Sequence, residues 1–156
     1  MAIHLVQYAP EIPQNTLNIM RTCVGTGIQL HLIKPLGFKL DEKNIIRSGV
    51  DYIKDVKYFV YENWEDFMME NSSGNFYFCT QNGQKNHAQI DFSNIDQEYF
   101  IILGSESRGF SKEMLQPHLE NCFRVPMNEH VESLNVSSVA AIVAYEALRQ
   151  QRFFNL

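Results

Sequence analysis

Six short apolar runs punctuate the chain: Ile3–Tyr8, Ile28–Ile33, Tyr58–Tyr61, Phe76–Cys79, Tyr99–Leu103 and Cys122–Val125. Each is nearly continuous in hydrophobicity rather than alternating, the signature of strands covered on both faces. Helical patterns fill the intervals. Asn15 or Thr16 can cap a helix running to about Gly25, with Ile19, Met20 and Cys23 on one face and Gly25-Thr26-Gly27 as its stop. Asp41 to about Ser48 reads as a short helix. Asn63 can cap a helix carrying Trp64, Phe67 and Met68, and Ser111 one over Lys112–Leu115. In the last helix Val136, Val139, Ala140, Val143, Ala147 and Leu148 recur at the spacing of one helix face. The polar stretch 80–97 is the least regular. Strands alternating with helices predict an α/β fold with a mainly parallel six-stranded sheet and helices on both faces. No repeat, low-complexity segment or linker interrupts it, so residues 1–156 are read as a single domain.

Composition changes this picture little. A hydrophobic content of 45% and a charged content of 20% are ordinary for a soluble protein. The amino-terminal apolar run turns polar at Gln7, too early for a signal peptide or a membrane span, which predicts a cytoplasmic location. Cys23, Cys79 and Cys122 are scattered, with no CxxC pair, and are read as reduced, buried thiols rather than metal ligands. His4 and His31 lie inside apolar runs and are read as core histidines, whereas His87, His118 and His130 lie in polar stretches and are expected in solvent. No metal site is expected.

Charge is more informative. The net charge is −5, but residues 1–57 hold seven Lys and Arg against five acids, while the remainder holds six against thirteen. A polyanion would therefore meet the first third of the chain. Taken alone, this asymmetry is also compatible with ordinary scatter over solvated faces.

The candidate chemistry lies at strand ends. Gly104-Ser105-Glu106-Ser107-Arg108-Gly109 follows the fifth run, and Pro126-Met127 follows the sixth. Ser133-Leu134-Asn135-Val136-Ser137 opens the last helix. Loops at the carboxyl ends of buried strands are where open α/β sheets place ligands. The Gly104 loop is neither a dinucleotide fingerprint nor a P-loop, and the first βα turn, Ala9-Pro10-Glu11-Ile12-Pro13, lacks glycine altogether. Glu106 and Arg108 could pair with each other or touch a substrate. No nucleophile elbow, HExxH or carboxylate pair stands out.

Three segments taken together carry more. Asn15-Thr16-Leu17-Asn18 with Arg21 resembles the NTGNxxR motif of SPOUT-class RNA methyltransferases. The Gly104–Gly109 loop resembles their GxExxG motif. Val125-Pro126-Met127 with Ser133-Leu134-Asn135-Val136-Ser137 resembles their IPM…SLNLS motif. The three occur in order, with Leu36-Gly37-Phe38 and Ser48-Gly49-Val50-Asp51-Tyr52 between them. They cover nearly the whole chain, a build most similar to the tRNA (cytidine/uridine-34)-2′-O-methyltransferase family. Tyr145-Glu146-Ala147-Leu148-Arg149-Gln150 in the last helix also fits that family.

The resemblance implies S-adenosylmethionine as methyl donor, the wobble nucleotide of tRNA as acceptor, a homodimer, and a deep trefoil knot over about residues 76–150. Its cofactor contacts fall on Cys79, Gly104, Val125 and Ser133. Its catalytic positions fall on Arg21 and Asn15, with Arg21 and Arg108 toward RNA. Ser133 is open to two roles, bonding the donor or capping the last helix, and Asn15 to two, orienting substrate or capping the first. Cys79 stands where the family has leucine, and Leu17 where the motif has glycine. Methylation of another tRNA or rRNA site, or a non-catalytic RNA-binding dimer, stay open as alternatives.

Overall fold

The computed structural model describes residues 2–41, 43 and 51–156. The helix expected over Asp41 to Ser48 and the start of the Ser48–Tyr52 stretch lie outside them. The described chain runs β1 (Ile3–Tyr8), α1 (Pro13–Thr26), β2 (Gln29–Ile33), β3 (Tyr58–Tyr61), α2 (Trp64–Glu70), β4 (Asn75–Cys79), β5 (Lys85–Asn86), β6 (Tyr99–Leu103), α3 (Lys112–Leu115), β7 (Cys122–Arg124) and α4 (Val136–Gln150). Short 3₁₀ turns cover Asp51–Asp55, His87–Gln89 and Gln116–Asn121.

The strands form one sheet in the order β3-β2-β1-β6-β4-β7-β5, and every neighbouring pair is parallel. The expected sheet of six strands is thus corrected to seven. The extra strand is β5, inside the polar stretch read as irregular. It pairs Lys85 with Phe123 and Asn86 with Arg124. A two-residue strand at a sheet edge needs no apolar run, so periodicity could not announce it. The other six match the predicted runs to within a residue at each end.

Continuous hydrophobicity follows from burial on both faces. All five residues of β6 are buried. On one side Ile3, Leu5, Leu30 and Ile101 pack under α1 (Ile19, Met20, Cys23) and α4 (Ala140, Val143, Ala144, Ala147). On the other, Val6, Ile33, Phe76, Phe78, Phe100 and Ile102 pack against Phe67 of α2. Asn63 and Ser111 cap α2 and α3 as expected, accepting from the backbone N–H of Asp66 (2.8 Å) and Met114 (3.2 Å). His87, half-buried with its Nδ1 enclosed, departs from the expectation of a solvated histidine, and so does His118. His118 is half-buried and stacks on Phe78 with ring centroids 4.9 Å apart.

The start of α1 also differs from expectation. Pro13 occupies the first turn and Ile12 is the N-cap, with no side-chain cap. Asn15 is therefore inside the helix, and the capping alternative for it falls. At the other end Gly27, with φ of 72°, supplies the left-handed stop.

His4 and His31 are buried, as expected of core histidines. His4 Nδ1 lies 3.1 Å from His31 Nε2, His4 Nε2 meets Glu98, and His31 Nδ1 lies 2.9 Å from the Tyr61 hydroxyl. Burial, with His4 alongside, pushes His31 down to about 3, and burial also lowers His4 against the pull of Glu98. Below about pH 6.5 an unfolded histidine takes up a proton that buried His31 refuses until far lower pH. Stability should therefore fall as pH drops through this window, by up to about 1.4 kcal/mol per pH unit for each such group. Thermal melts between pH 7.5 and 5 should show Tm declining, with a shallower slope in His31→Asn. A flat profile for the native chain would contradict the buried neutral pair.

Candidate active site

β1 and β6 are neighbours in the sheet, yet their onward connections diverge. The chain leaves β1 toward β2 and β3, and leaves β6 across β4 toward β7. A crevice outside the carboxyl ends of two such strands is the ligand position of an open parallel sheet. Here it is a cleft of about 650 Å³. Its apolar lining includes Cys79, Leu103, Val125, Leu134 and Val139, and its polar lining includes Thr80, Asn82, Ser105 and Ser133.

Six of the seven expected site residues line this cleft: Asn15, Cys79, Gly104, Arg108, Val125 and Ser133. Arg21 does not. It is exposed and lies six residues beyond Asn15 along α1, a rise of roughly 9 Å. Its guanidinium sits 5.6 Å from the centroid of the Tyr52 ring, a cation–π arrangement.

Hydrogen bonds join the three motif segments. The carboxylate of Glu106 accepts from the backbone N–H of Glu11 (2.8 Å) and Ile12 (3.3 Å) and from Asn15 Nδ2 (3.3 Å). Asn15 Oδ1 accepts from Asn135 Nδ2 at 2.9 Å. Asn135 in turn caps α4, accepting from the Ser137 N–H at 2.9 Å. Asn15 is 5% exposed and both ends of its amide are committed within the protein. Its role is to lock α1, the Gly104 loop and the start of α4 together. Because Asn135 caps α4, Ser133 does not, and the capping alternative for Ser133 falls.

The Gly104–Gly109 loop closes on itself through Gly109 N–H to Ser105 O (2.8 Å) and Ser105 N–H to Gly109 O (3.2 Å). Gly109 has φ of +61°, the left-handed region. Glu106, though it lines the cleft, makes no ion pair with Arg108. Instead it serves the entry of α1, which has no cap of its own. Glu11 returns the interaction. Its carboxylate accepts from the hydroxyl of Ser105, and from Ser107 through the N–H (3.1 Å) and the hydroxyl (2.7 and 2.8 Å). The hydroxyls of Ser105 and Ser107, the Ser107 amide and nearby Arg108 hold the Glu11 carboxyl below the usual carboxylate range.

Glu11 and Asn135 join the loops around the cleft by hydrogen bonds that reading by motif did not anticipate. The available signal was an uncapped helix. Ile12 cannot cap α1 with its side chain, so the missing acceptor had to come from a distant part of the chain. Cys79 behaves as a small apolar residue. Burial pushes its thiol up to about 12 despite a hydrogen bond from the Val125 backbone. Cys79→Ala should therefore reduce any activity of this site by no more than about fivefold, the scale of one lost methylene-sized contact. A thousandfold loss would instead mark a thiolate role. Among the described residues no group of His, Cys, Asp and Glu could hold a metal ion, and no helix is long and apolar enough to cross a membrane.

Known proteins match this arrangement over most of its length. The family model described as the SpoU rRNA Methylase family matches residues 2–145. A Listeria innocua protein, named as a candidate tRNA (cytidine(34)-2′-O)-methyltransferase, is 48% identical over 153 residues, 98% of this chain and 90% of that one. A Bacillus anthracis structure solved as a candidate RNA methyltransferase superposes with a TM-score of 0.96 at 44% identity, covering 99% of this chain and 97% of that chain. A structure described as giving insight into 2′-OH methylation of C/U34 on tRNA superposes with a TM-score of 0.87 at 33% identity, over 96% of each chain. Matched from its second residue into its last helix, the chain belongs to the SpoU rRNA methylase family.

Proposed function

We propose that this protein is an enzyme that methylates the ribose 2′-hydroxyl of the wobble nucleotide, cytidine or uridine 34, in tRNA, with S-adenosylmethionine as donor. The observation that carries the reading is the joining of all three motif segments at one cleft by the Glu106–Asn15–Asn135 chain of hydrogen bonds. Relatives of nearly the same length, named for methylation at position 34, supply the substrate.

The cleft fits the donor. Its apolar strand ends suit a nucleoside, and Gly104 lines it without a side chain, its backbone packed against that of Gly109. Cys79, Gly104, Val125 and Ser133 are the residues that would hold it. When bound, S-adenosylmethionine supplies a methyl group already activated on a sulfonium, so the protein's task is position and electrostatics. Asn15 and Glu106 hold the loops in register. Arg21 clamps a phosphate of the RNA and aligns the ribose hydroxyl; an ordinary arginine is too weak a base to take the proton itself. Arg108, on the cleft rim, offers a second cation to the RNA.

Three further features belong to this reading. The knot over about 76–150 is supported by β6 lying between β1 and β4, and by the return of α4 onto α1 after β7. The homodimer is supported by exposed Ile142, Tyr145, Phe153 and Phe154 at the carboxyl end. A cytoplasmic setting is where tRNA would be met.

The test is direct. Bulk tRNA is incubated with the protein and labelled S-adenosylmethionine, and the product is mapped by alkaline hydrolysis. A methylated ribose cannot cleave its own phosphodiester, so one gap at nucleotide 34 is expected. A gap elsewhere, or in rRNA, would move the substrate; no label in either RNA would end the enzyme reading.

A further inference from the structure

Glu11 does not line the cleft, yet three donors of the loop that does converge on its carboxylate: the Ser105 hydroxyl, the Ser107 N–H and the Ser107 hydroxyl, which is shared between both oxygens. We infer that Glu11 is a positioning residue of the methyltransferase site: it fixes the Gly104–Gly109 loop in the shape that walls the cofactor cleft and ties that loop to the helix bearing Arg21. This rests on the methyltransferase reading above.

The loop has little to hold its own shape. Its internal backbone hydrogen bonds join Ser105 and Gly109, while the tip, Glu106 to Arg108, lies between them. Glu11 holds that tip, taking the Ser105 hydroxyl on one side and the Ser107 hydroxyl and amide on the other. An ionised carboxylate only accepts, so every bond points from loop to Glu11 and the loop can meet it in one orientation.

Glu11 is itself braced from behind. A Cβ on Gly37 would lie 2.7 Å from Glu11 O and 2.8 Å from Glu11 Cα, so the 35–38 segment presses bare backbone against it. The Gly37 N–H also donates to Pro10 O at 2.9 Å. Just upstream, Ala9 takes φ of 47° and donates its N–H to Ile33 O at 2.9 Å. The Leu36-Gly37-Phe38 stretch thereby gains a purpose, as the backstop for Glu11.

The pairing is reciprocal. Glu106, on the loop Glu11 holds, accepts the N–H groups of Glu11 and Ile12. Two carboxylates, 95 residues apart, each satisfy the other's segment beyond the carboxyl ends of β1 and β6. The cofactor wall and the entry to α1 can therefore move only together.

The experiment compares Glu11→Ala and Glu11→Gln with the native full chain. Calorimetric binding of S-adenosylhomocysteine is measured alongside kcat and the separate KM values for donor and tRNA, with thermal melts to verify folding. Glu11→Ala should weaken S-adenosylhomocysteine binding by roughly tenfold or more, with a smaller rise in the tRNA KM because Arg108 rides on the same loop. Glu11→Gln, whose amide oxygen can still accept the Ser107 N–H, should recover part of that loss. Should Glu11→Ala fail to fold, Ser107→Ala removes the hydroxyl part of the same clamp from the other side, leaves the backbone N–H bond, and should weaken binding in the same direction to a smaller extent.

A folded Glu11→Ala that binds S-adenosylhomocysteine as the native chain does would overturn the inference. So would a Glu11→Gln no better than Glu11→Ala, with both KM values and Tm shifting together, which would mean a merely structural residue. If the native chain itself bound no S-adenosylhomocysteine, the methyltransferase reading would fall first and take this inference with it.

Discussion

Arg21→Ala should lower methyl transfer to tRNA by about a hundredfold or more while leaving S-adenosylhomocysteine affinity within about twofold. The two readouts separate because of where the residue sits. Arg21 lies outside the cleft lining, on an exposed turn of α1, so its removal disturbs neither the donor's walls nor the core. Exposed substitutions of this kind usually cost within about 0.5 kcal/mol of stability. On the proposed role, what is lost is a fixed cation for a phosphate. Tyr52 stacks against the guanidinium and limits its directions, so Arg21→Lys should rescue poorly, lacking both the planar fork and the stacked face. Single-turnover transfer and calorimetry check both halves. Equal loss of transfer and cofactor binding would mean that Arg21 supports the cleft.

Gly104→Ala should have the opposite profile, weakening cofactor binding first. A Cβ there would stand 2.9 Å from both Cα and C of Gly109 and 3.1 Å from its O. These are backbone atoms held by the Ser105–Gly109 hydrogen bonds, so no flexible side chain can give way. The loop must open, at an overpacking cost of roughly 1–3 kcal/mol, or about ten- to a hundredfold in affinity. Gly109→Ala meets no atom within 4 Å, but its φ of +61° makes the substitution a strained one of smaller effect. Native affinity in Gly104→Ala would show that this loop does not wall the donor site.

If the chain forms the proposed homodimer, the two variants also answer how its subunits share the work. Coexpressed, Arg21→Ala and Gly104→Ala chains place one intact cleft opposite one intact arginine. If Arg21 serves the partner's cleft, mixed dimers regain one working site. If it serves its own, they regain none.

Much of this was legible in the chain. Apolar runs located β1, β2, β4, β6 and β7 because strands lying inside the sheet must be largely hydrophobic; β3 was found by the same signal although it is an edge strand with Tyr58, Phe59 and Val60 exposed. Asn63 and Ser111 located two helix starts because a side-chain oxygen there is the cheapest acceptor for a bare N–H. Where the acceptor comes from afar, local reading fails. Asn15 resembled a cap by position, yet α1 begins two residues earlier at Pro13 and borrows Glu106. β5 escaped because a two-residue edge strand has no core face to pattern. The cleft residues Cys79, Gly104, Val125 and Ser133 came from resemblance and lie together, whereas Glu11, outside every motif, needed geometry to be noticed.

The exchange between Glu11 and Glu106 bears on how the protein is made. Translation proceeds at roughly 5–20 residues per second, so the amino-terminal helix leaves the ribosome several seconds before the residue that serves its entry has been synthesised. The same delay holds for the sheet, since β1 waits for β6 to fill its second side. The first third of the chain, which carries Arg21 and the basic excess, therefore emerges without its finished partner surface. RNA capture and donor binding both become available only once the last third is in place. A nascent chain arrested before residue 99 should accordingly be cut readily by protease within α1, and one extended past α4 should resist.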